Sequence, residues 1–156
     1  MSIGIVYSQR LKNRCIQLKS AVAFVERIES EMRYTMDSCE KIIERISKDD
    51  RYKNLNFIYE FLNDFNSFTS FEQRFKQAIN KEQERMSLNE SDIELIKEFS
   101  SNMGTTDIEG QINNCHMYAK LLKSALNEAE EERNEKSRLY CSLSVMAAAA
   151  FSVIII

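Results

Sequence analysis

The chain has 156 residues, a net charge of −3 and 44% hydrophobic residues, enough for one domain of about 130 residues once an apolar tail is set aside. A pI near 5.4 offers no basic footprint for nucleic acid, whose phosphates demand clustered Lys and Arg. There is no Pro and only Gly4, Gly104 and Gly110, so the turn chemistry of sheets is missing and helices are the expected structure.

In chain order, Met1 to Tyr7 is apolar and is followed at once by Arg10, Lys12 and Arg14. Seven residues cannot span a bilayer, and an apolar run that short, placed ahead of the charges, is no cleavable signal. Residues 1–10 therefore read as a short apolar start, the remnant or misassigned beginning of a first membrane segment. Leu11, Cys15, Leu18, Val22, Val25, Glu29, Met32, Met36, Cys39, Ile43 and Ile46 then step by four and three, a heptad seam with one polar interruption. Glu29 would bury a carboxylate there, so it needs a Lys, Arg or Tyr from another helix or marks a contact surface.

The middle of the chain is shorter in rhythm and rich in rings: Tyr52, Phe57, Tyr59, Phe61, Phe65, Phe68, Phe71 and Phe75. Such a cluster fits a core better than a ligand box. Leu55, Ile58, Leu62 and Phe65 predict one short helix, Phe71, Phe75, Ala78 and Ile79 a second, and Ile93, Ile96, Phe99 and Met103 a third. Thr69 with Glu72, Ser91 with Glu94 and Thr106 with Glu109 match the capping box that opens helices, and Gly104 suits a left-handed helix stop.

The second seam runs Ile108, Ile112, Cys115, Ala119, Leu122, Leu126 and Ala129. Beyond it Arg133 and Lys136 occupy seam positions, so packing should thin out. Glu128, Glu130, Glu131, Glu132 and Glu135 form an acidic run that reads as a solvated face with i,i+4 support, or as a dock for a basic partner. Leu139 to Ile156 carries no charge. At roughly 1.5 Å per residue it covers ~27 Å, close to a hydrocarbon core of about 30 Å, and is expected to be a transmembrane anchor. Arg133, Lys136 and Arg138 flank its upstream side, which predicts a cytosolic bundle over residues 11–138 and a single-pass anchor over 139–156. The predicted fold is all-α: an antiparallel bundle of about six helices, with long first and last helices, followed by that anchor.

No chemistry-bearing constellation emerges. Cys15, Cys39, Cys115 and Cys141 lie far apart with no Cys-x-x-Cys pair, so zinc is not expected and free thiols fit a reducing cytosol. The only histidine, His116, lies in Asn113-Asn114-Cys115-His116 and lacks the Glu-x-x-His spacing of a di-iron bundle. No Gly-rich phosphate loop or Gly-x-Ser-x-Gly elbow is present. The expectation is a non-enzyme without cofactor, whose partners are proteins and a membrane rather than nucleic acid.

Several elements resemble the stage III sporulation protein AB family. They are the basic Arg10-Leu11-Lys12-Asn13-Arg14 start, Glu29-Ser30-Glu31-Met32-Arg33-Tyr34, the Phe99 to Gln111 segment, and an acidic helix running into a C-terminal anchor. The third is the most specific: the family pattern is approximately Phe-Gly-x-x-Leu-Gly-x-x-Asp-x-x-x-Gln, and Phe99, Gly104, Asp107 and Gln111 match it, with Met103 in place of Leu and Ser100 in place of the first Gly. Two departures stand out. The family has a complete N-terminal transmembrane helix, and commonly a Pro shortly after the Tyr, where this chain reads Thr35, Met36, Asp37 and Ser38; without it the first helix is expected to run through Tyr34.

The resemblance implies a platform subunit of the secretion-like sporulation complex between mother cell and forespore, similar in fold to the cytoplasmic domains of the type II secretion inner-membrane platform. It further implies a cytosolic secretion-type ATPase and other membrane components as partners, on the mother-cell side. Glu29, Glu31, Tyr34, Phe99, Gly104, Asp107 and Gln111 become the candidate motif or partner-binding residues. A generic membrane-tethered helical adaptor unrelated to sporulation also fits the anchor and seams, and a membrane-bound enzyme is a third class with no nucleophile to name. Whether the seams close within one chain or in a homo-oligomer stays open at this level.

Overall fold

The first seam keeps its spacing for its whole length, but one helix does not. In the computed structural model, which describes residues 2–64 and 69–155 and the side chains of 4–64 and 69–150, α1 spans Ser2–Thr35 and α2 spans Cys39–Ile46. Between them Met36 adopts φ 53°, a left-handed stop, while its N–H donates to the Met32 carbonyl at 3.1 Å. The helix runs through Tyr34 as expected and reverses without Pro or Gly. α1 begins at Ser2 and includes the apolar start.

The short helices follow the predicted order: α3 (Phe57–Asn63), α4 (Phe71–Glu82) and α5 (Glu90–Phe99), with single 3-10 turns at Asp50–Tyr52, Gln83–Arg85 and Ser100–Asn102. The last helix, α6, spans Ile108–Ile155. Among the described residues the fold is six α-helices and no strand. Phe65 and Phe68, expected in and after α3, lie outside the described residues.

All three predicted helix starts shift by one or two residues. Ser70, not Thr69, accepts the Gln73 N–H and caps α4. Asn89, not Ser91, caps α5, in a full box with Asp92 in place of Glu94. At α6 the cap is Asp107, whose Oδ1 accepts the Gly110 N–H at 2.9 Å. At α4 and α6 the Ser or Asp found outranks the predicted Thr as an N-cap; at α5 Asn89 and Ser91 rank alike, and Asn89 is the one that closes its box, with Asp92.

α1 and α6 pack antiparallel along their length. Leu11, Cys15, Leu18, Val22, Val25 and Met32 from α1 are buried, as are Ile112, Cys115, Ala119, Leu122 and Ala129 from α6. The seams close within one chain. Ala21, Phe24 and Ile28 are buried too, because α1 is covered on a second side by the short helices. There a line of rings crosses the molecule: Phe24 meets Phe57 at 6.3 Å, Phe57 meets Phe75 at 5.5 Å, Phe75 meets Phe99 at 6.1 Å and Phe99 meets Tyr118 at 6.2 Å, all edge-on. Edge-to-face pairs add about 0.5–1.5 kcal/mol beyond burial. Tyr59 is the exception, half exposed with its hydroxyl donating to the Ser47 carbonyl at 3.3 Å.

Ionic contacts set the α1–α6 register. Lys123 pairs with Glu26 and Lys19 with Glu130 at 3.4 Å. Arg14 binds Asp92 of α5 through Nε at 2.7 Å and Nη2 at 3.0 Å, and reaches Glu132 at 3.3 Å. Part of the acidic run thus ties α6 to α1, while Glu128, Glu131 and Glu135 stay exposed. From residue 137 onward every described side chain of α6 is exposed. No helix among the described residues is long and apolar enough to cross a membrane; of the expected anchor at 139–156, side chains are described only for Leu139–Ala150.

Candidate functional site

The motif residues gather where α1 ends and α6 begins. A cavity of ≈ 400 Å³ opens there, lined by Met32, Met36, Cys39 and Phe71 on one side and by Gly104, Ile108 and Gln111 on the other, with Asp37 and Glu40 as its charged lining residues. Met36, one of its lining residues, is 72% exposed, and Tyr34, two positions earlier in the last turn of α1, is 86% exposed. Large apolar side chains so open to water are informative when they cluster.

Each wall is held by local chemistry. On the α1–α2 side Arg45 bridges Glu31 at 2.7 Å and Asp37 at 2.5 Å, while Arg27 meets Glu31 at 2.6 Å. The Arg45 hydrogen bond holds the Asp37 carboxyl below its ordinary range. Glu40 pairs with Arg74 at 2.7 Å, and the Arg74 guanidinium lies 4.7 Å over the Phe61 ring while Nε donates to the Asp64 carbonyl. These contacts fix the reversal at Met36, whose left-handed backbone costs a side-chain-bearing residue about 1–2 kcal/mol.

On the α6 side Gly104 has φ +81°, which only glycine adopts freely. Gln111 Nε2 donates to the Thr106 carbonyl at 2.8 Å and its own N–H to the Asp107 carbonyl at 3.0 Å. Gly110 permits the Asp107 cap, because a Cβ there would stand 2.8 Å from Asp107 Oδ1. Asp107 and Gln111 therefore shape the corner, and Gln111 also lines its cavity.

Two motif residues lie elsewhere. Phe99 is fully buried in the ring line, a core residue. Glu29, with a side chain 15% exposed, meets Arg33 at 3.0 Å and His116 Nδ1 of α6 at 3.6 Å; the partner from another helix is a histidine, which the sequence reading had set aside as solitary. Sequence reasoning also missed Asn114. It is buried, its Nδ2 donates to the Phe99 carbonyl at 2.9 Å, and its Oδ1 accepts from Asn102 Nδ2 at 3.3 Å. A polar residue one step from seam residue Cys115 was the available signal.

Cys15, Cys39 and Cys115 are buried free thiols and Cys141 is exposed. Burial raises the Cys39 thiol well above its ordinary value and pushes Cys115 up to about 12. Among the described residues no group of three or more His, Cys, Asp or Glu side chains is placed to hold a metal ion. The corner offers shape, apolar contact and carboxylates, which suit binding of a protein surface.

Comparison with known proteins gives two matches and one blank. The family model described as Stage III sporulation protein AB matches residues 1–156. A solved structure titled Stage III sporulation protein AB is similar with a TM-score of 0.70 at 19% identity, covering 79% of this chain and 98% of that chain; at that identity the likeness concerns the fold. The search of curated proteins found no match.

Proposed function

The chain belongs to the stage III sporulation protein AB family, and from this premise we propose that it is a non-enzymatic, membrane-anchored platform subunit of the sporulation secretion-like complex. In this reading the tail from Leu139 holds the bundle to the mother-cell side of the membrane. The bundle presents the Met36–Gly104 corner to a cytosolic secretion-type ATPase, and the bond chemistry belongs to that partner.

The observation that carries the proposal is the convergence of motif elements distant in sequence on one exposed corner. Tyr34 lies in the last turn of α1; Met36 just after that helix, Gly104 just before α6 and Gln111 in its first turn line one cavity. Packing alone does not require a Tyr at 86% exposure or a Met in a left-handed turn. Backbone strain kept at an exposed position is a pointer to function.

The test is complementation in the sporulating host with Tyr34→Ala and Met36→Ser. Both variants should accumulate in membranes like the parent chain, since surface changes of this kind alter stability by about 0.5 kcal/mol or less. They should nonetheless arrest sporulation after engulfment and fail to co-purify the ATPase. Normal heat-resistant spores from the double variant would remove the corner from the mechanism.

A further inference from the structure

Besides the seams that close the bundle, α1 and α6 each carry a second heptad line on the side open to solvent. On α1 it runs Lys12, Ile16, Lys19, Ala23, Glu26 and Ser30; on α6 it runs Met117, Leu121, Ser124, Glu128, Glu131 and Glu135. Both step by four and three throughout, the spacing that one helix presents to another, and each covers about 27 Å. All twelve side chains are exposed except Ala23, which is half-buried. Among them are the large apolar groups of Ile16 at 45%, Met117 at 47% and Leu121 at 41% exposure.

The lines carry opposite charge over the half nearer the tail. Glu128, Glu131 and Glu135 form no ion pair among the described residues, and neither does Lys12. Lys19 meets Glu130 at 3.4 Å with its side chain still 68% exposed. The pairing of α1 with α6 inside the bundle shows which residues share a height: Arg14 reaches Glu132, Lys19 reaches Glu130, Glu26 reaches Lys123 and Glu29 reaches His116. By that register Lys12 stands level with Glu135, Lys19 with Glu128, Ala23 with Ser124 and Ser30 with Met117. The two outer lines therefore match position for position. They lie outside the α1–α6 contact, so within one chain they do not meet.

Two copies standing side by side at one height would set α1 of the first antiparallel to α6 of the second. Lys12 then faces Glu135, Lys19 faces Glu128, and Ala23 and Ser124 are small enough to let the helices approach. Joining two α6 lines would instead set carboxylates against carboxylates. We infer that the chain associates with further copies of itself head to tail, the outer line of α1 on one copy packing on the outer line of α6 on the next. A contact between two different faces leaves one of each free, so it propagates into a row or closes into a ring. The inference rests on the anchoring proposed above, which holds all copies at one height, and is independent of what meets the corner.

Ala23→Cys and Ser124→Cys are placed together in the full chain with Cys141→Ser, so that the remaining native thiols are the buried Cys15, Cys39 and Cys115. In vesicles, oxidation with copper phenanthroline should give a ladder of dimers, trimers and longer products, because each copy offers a thiol to either neighbour. Either new cysteine alone should leave monomer. Glu128→Lys with Glu135→Lys should cut the ladder about tenfold. Adding Lys12→Glu and Lys19→Glu should restore it, which a merely misfolded variant would not do. Protein that floats with the vesicles yet stays monomeric overturns the pairing and leaves the anchor standing. Dimers from a single-cysteine variant, or a ladder indifferent to charge reversal, overturn the head-to-tail register. A charge-dependent ladder in detergent from protein that fails to float supports the pairing and overturns the anchor.

Discussion

Replacing Asp92 by Asn removes one charge from the most buried ion pair among the described residues. The Asp92 side chain is 1% exposed and Arg14 11%, and the carboxylate accepts three hydrogen bonds: two from Arg14, at 2.7 and 3.0 Å, and one from the Asn89 N–H at 3.1 Å. An Asn at this position keeps one acceptor oxygen for the α5 cap, while its amide NH2 takes the place of the second oxygen and faces an Arg14 N–H, so the charge and one hydrogen bond are lost together. Arg14 is left with Glu132 at 3.3 Å, half open to water. Stranding a buried partner in this way costs about 3–5 kcal/mol, equivalent to a Tm drop of roughly 10–20 °C for a domain of this size. Arg14→Met should cost a similar amount. The double variant should lose far less than the sum, because no unpaired charge then remains. The assay is urea unfolding of the full chain in mild detergent, followed by circular dichroism at 222 nm. A loss below about 1 kcal/mol for Asp92→Asn, or strictly additive singles, would refute the account of this pair.

Phe99→Ala should destabilise by about 3–5 kcal/mol in the same assay, because a fully buried ring between Phe75 and Tyr118 leaves a cavity; a small loss would mean that the motif Phe serves contact rather than packing. Gly104→Ala forces a Cβ into φ +81° and should cost about 1–2 kcal/mol, read as a shift of the urea midpoint. Cys115, pushed up to about 12, and Cys39, raised well above the ordinary 9.0, stay protonated in the fold after the unfolded chain begins to ionise. Their contribution is therefore whole below pH 9 and is lost progressively between pH 9 and 12. The midpoint should fall over that window, and Cys115→Ala should flatten the fall. At pH 8, iodoacetamide should leave Cys15, Cys39 and Cys115 unmodified until urea is added, as read by mass spectrometry.

Periodicity carried the architecture, since apolar residues at helical spacing have one economical arrangement. Leu18, Val22, Cys115 and Leu122 are all core residues of the α1–α6 pair. What it could not show was where a continuous seam changes helix. Met36 supplies a left-handed turn that sequence signals assign to Gly or Asn, and the spacing of Met32, Met36 and Cys39 hides it. Cap positions slipped because Asp107 outranks Thr106, and because Asn89 and Ser91 are equally good caps that only the closed box with Asp92 separates. The pairs Arg14–Asp92 and Glu29–His116 were illegible for a different reason. Their partners are 78 and 87 positions apart in sequence, and only the packed bundle brings them together. For the candidate site, Gly104, Asp107 and Gln111 were readable as a corner. That Met36 completes it depends on the antiparallel register.

The unbroken span of α6 fixes a height. From Ile108 at the corner to Leu139 at the start of the tail, a helix rising 1.5 Å per residue covers about 45 Å, braced along most of that distance by α1. With the tail anchored as proposed, a protein that meets the corner does so on top of a stiff post, clear of the lipid headgroups. A push or twist applied there acts on the tail with the full lever arm of the post and little bending along the way. Moving the corner along α6 by whole turns, with matched deletions in α1, would lower the post in steps of about 5.4 Å without altering the corner itself.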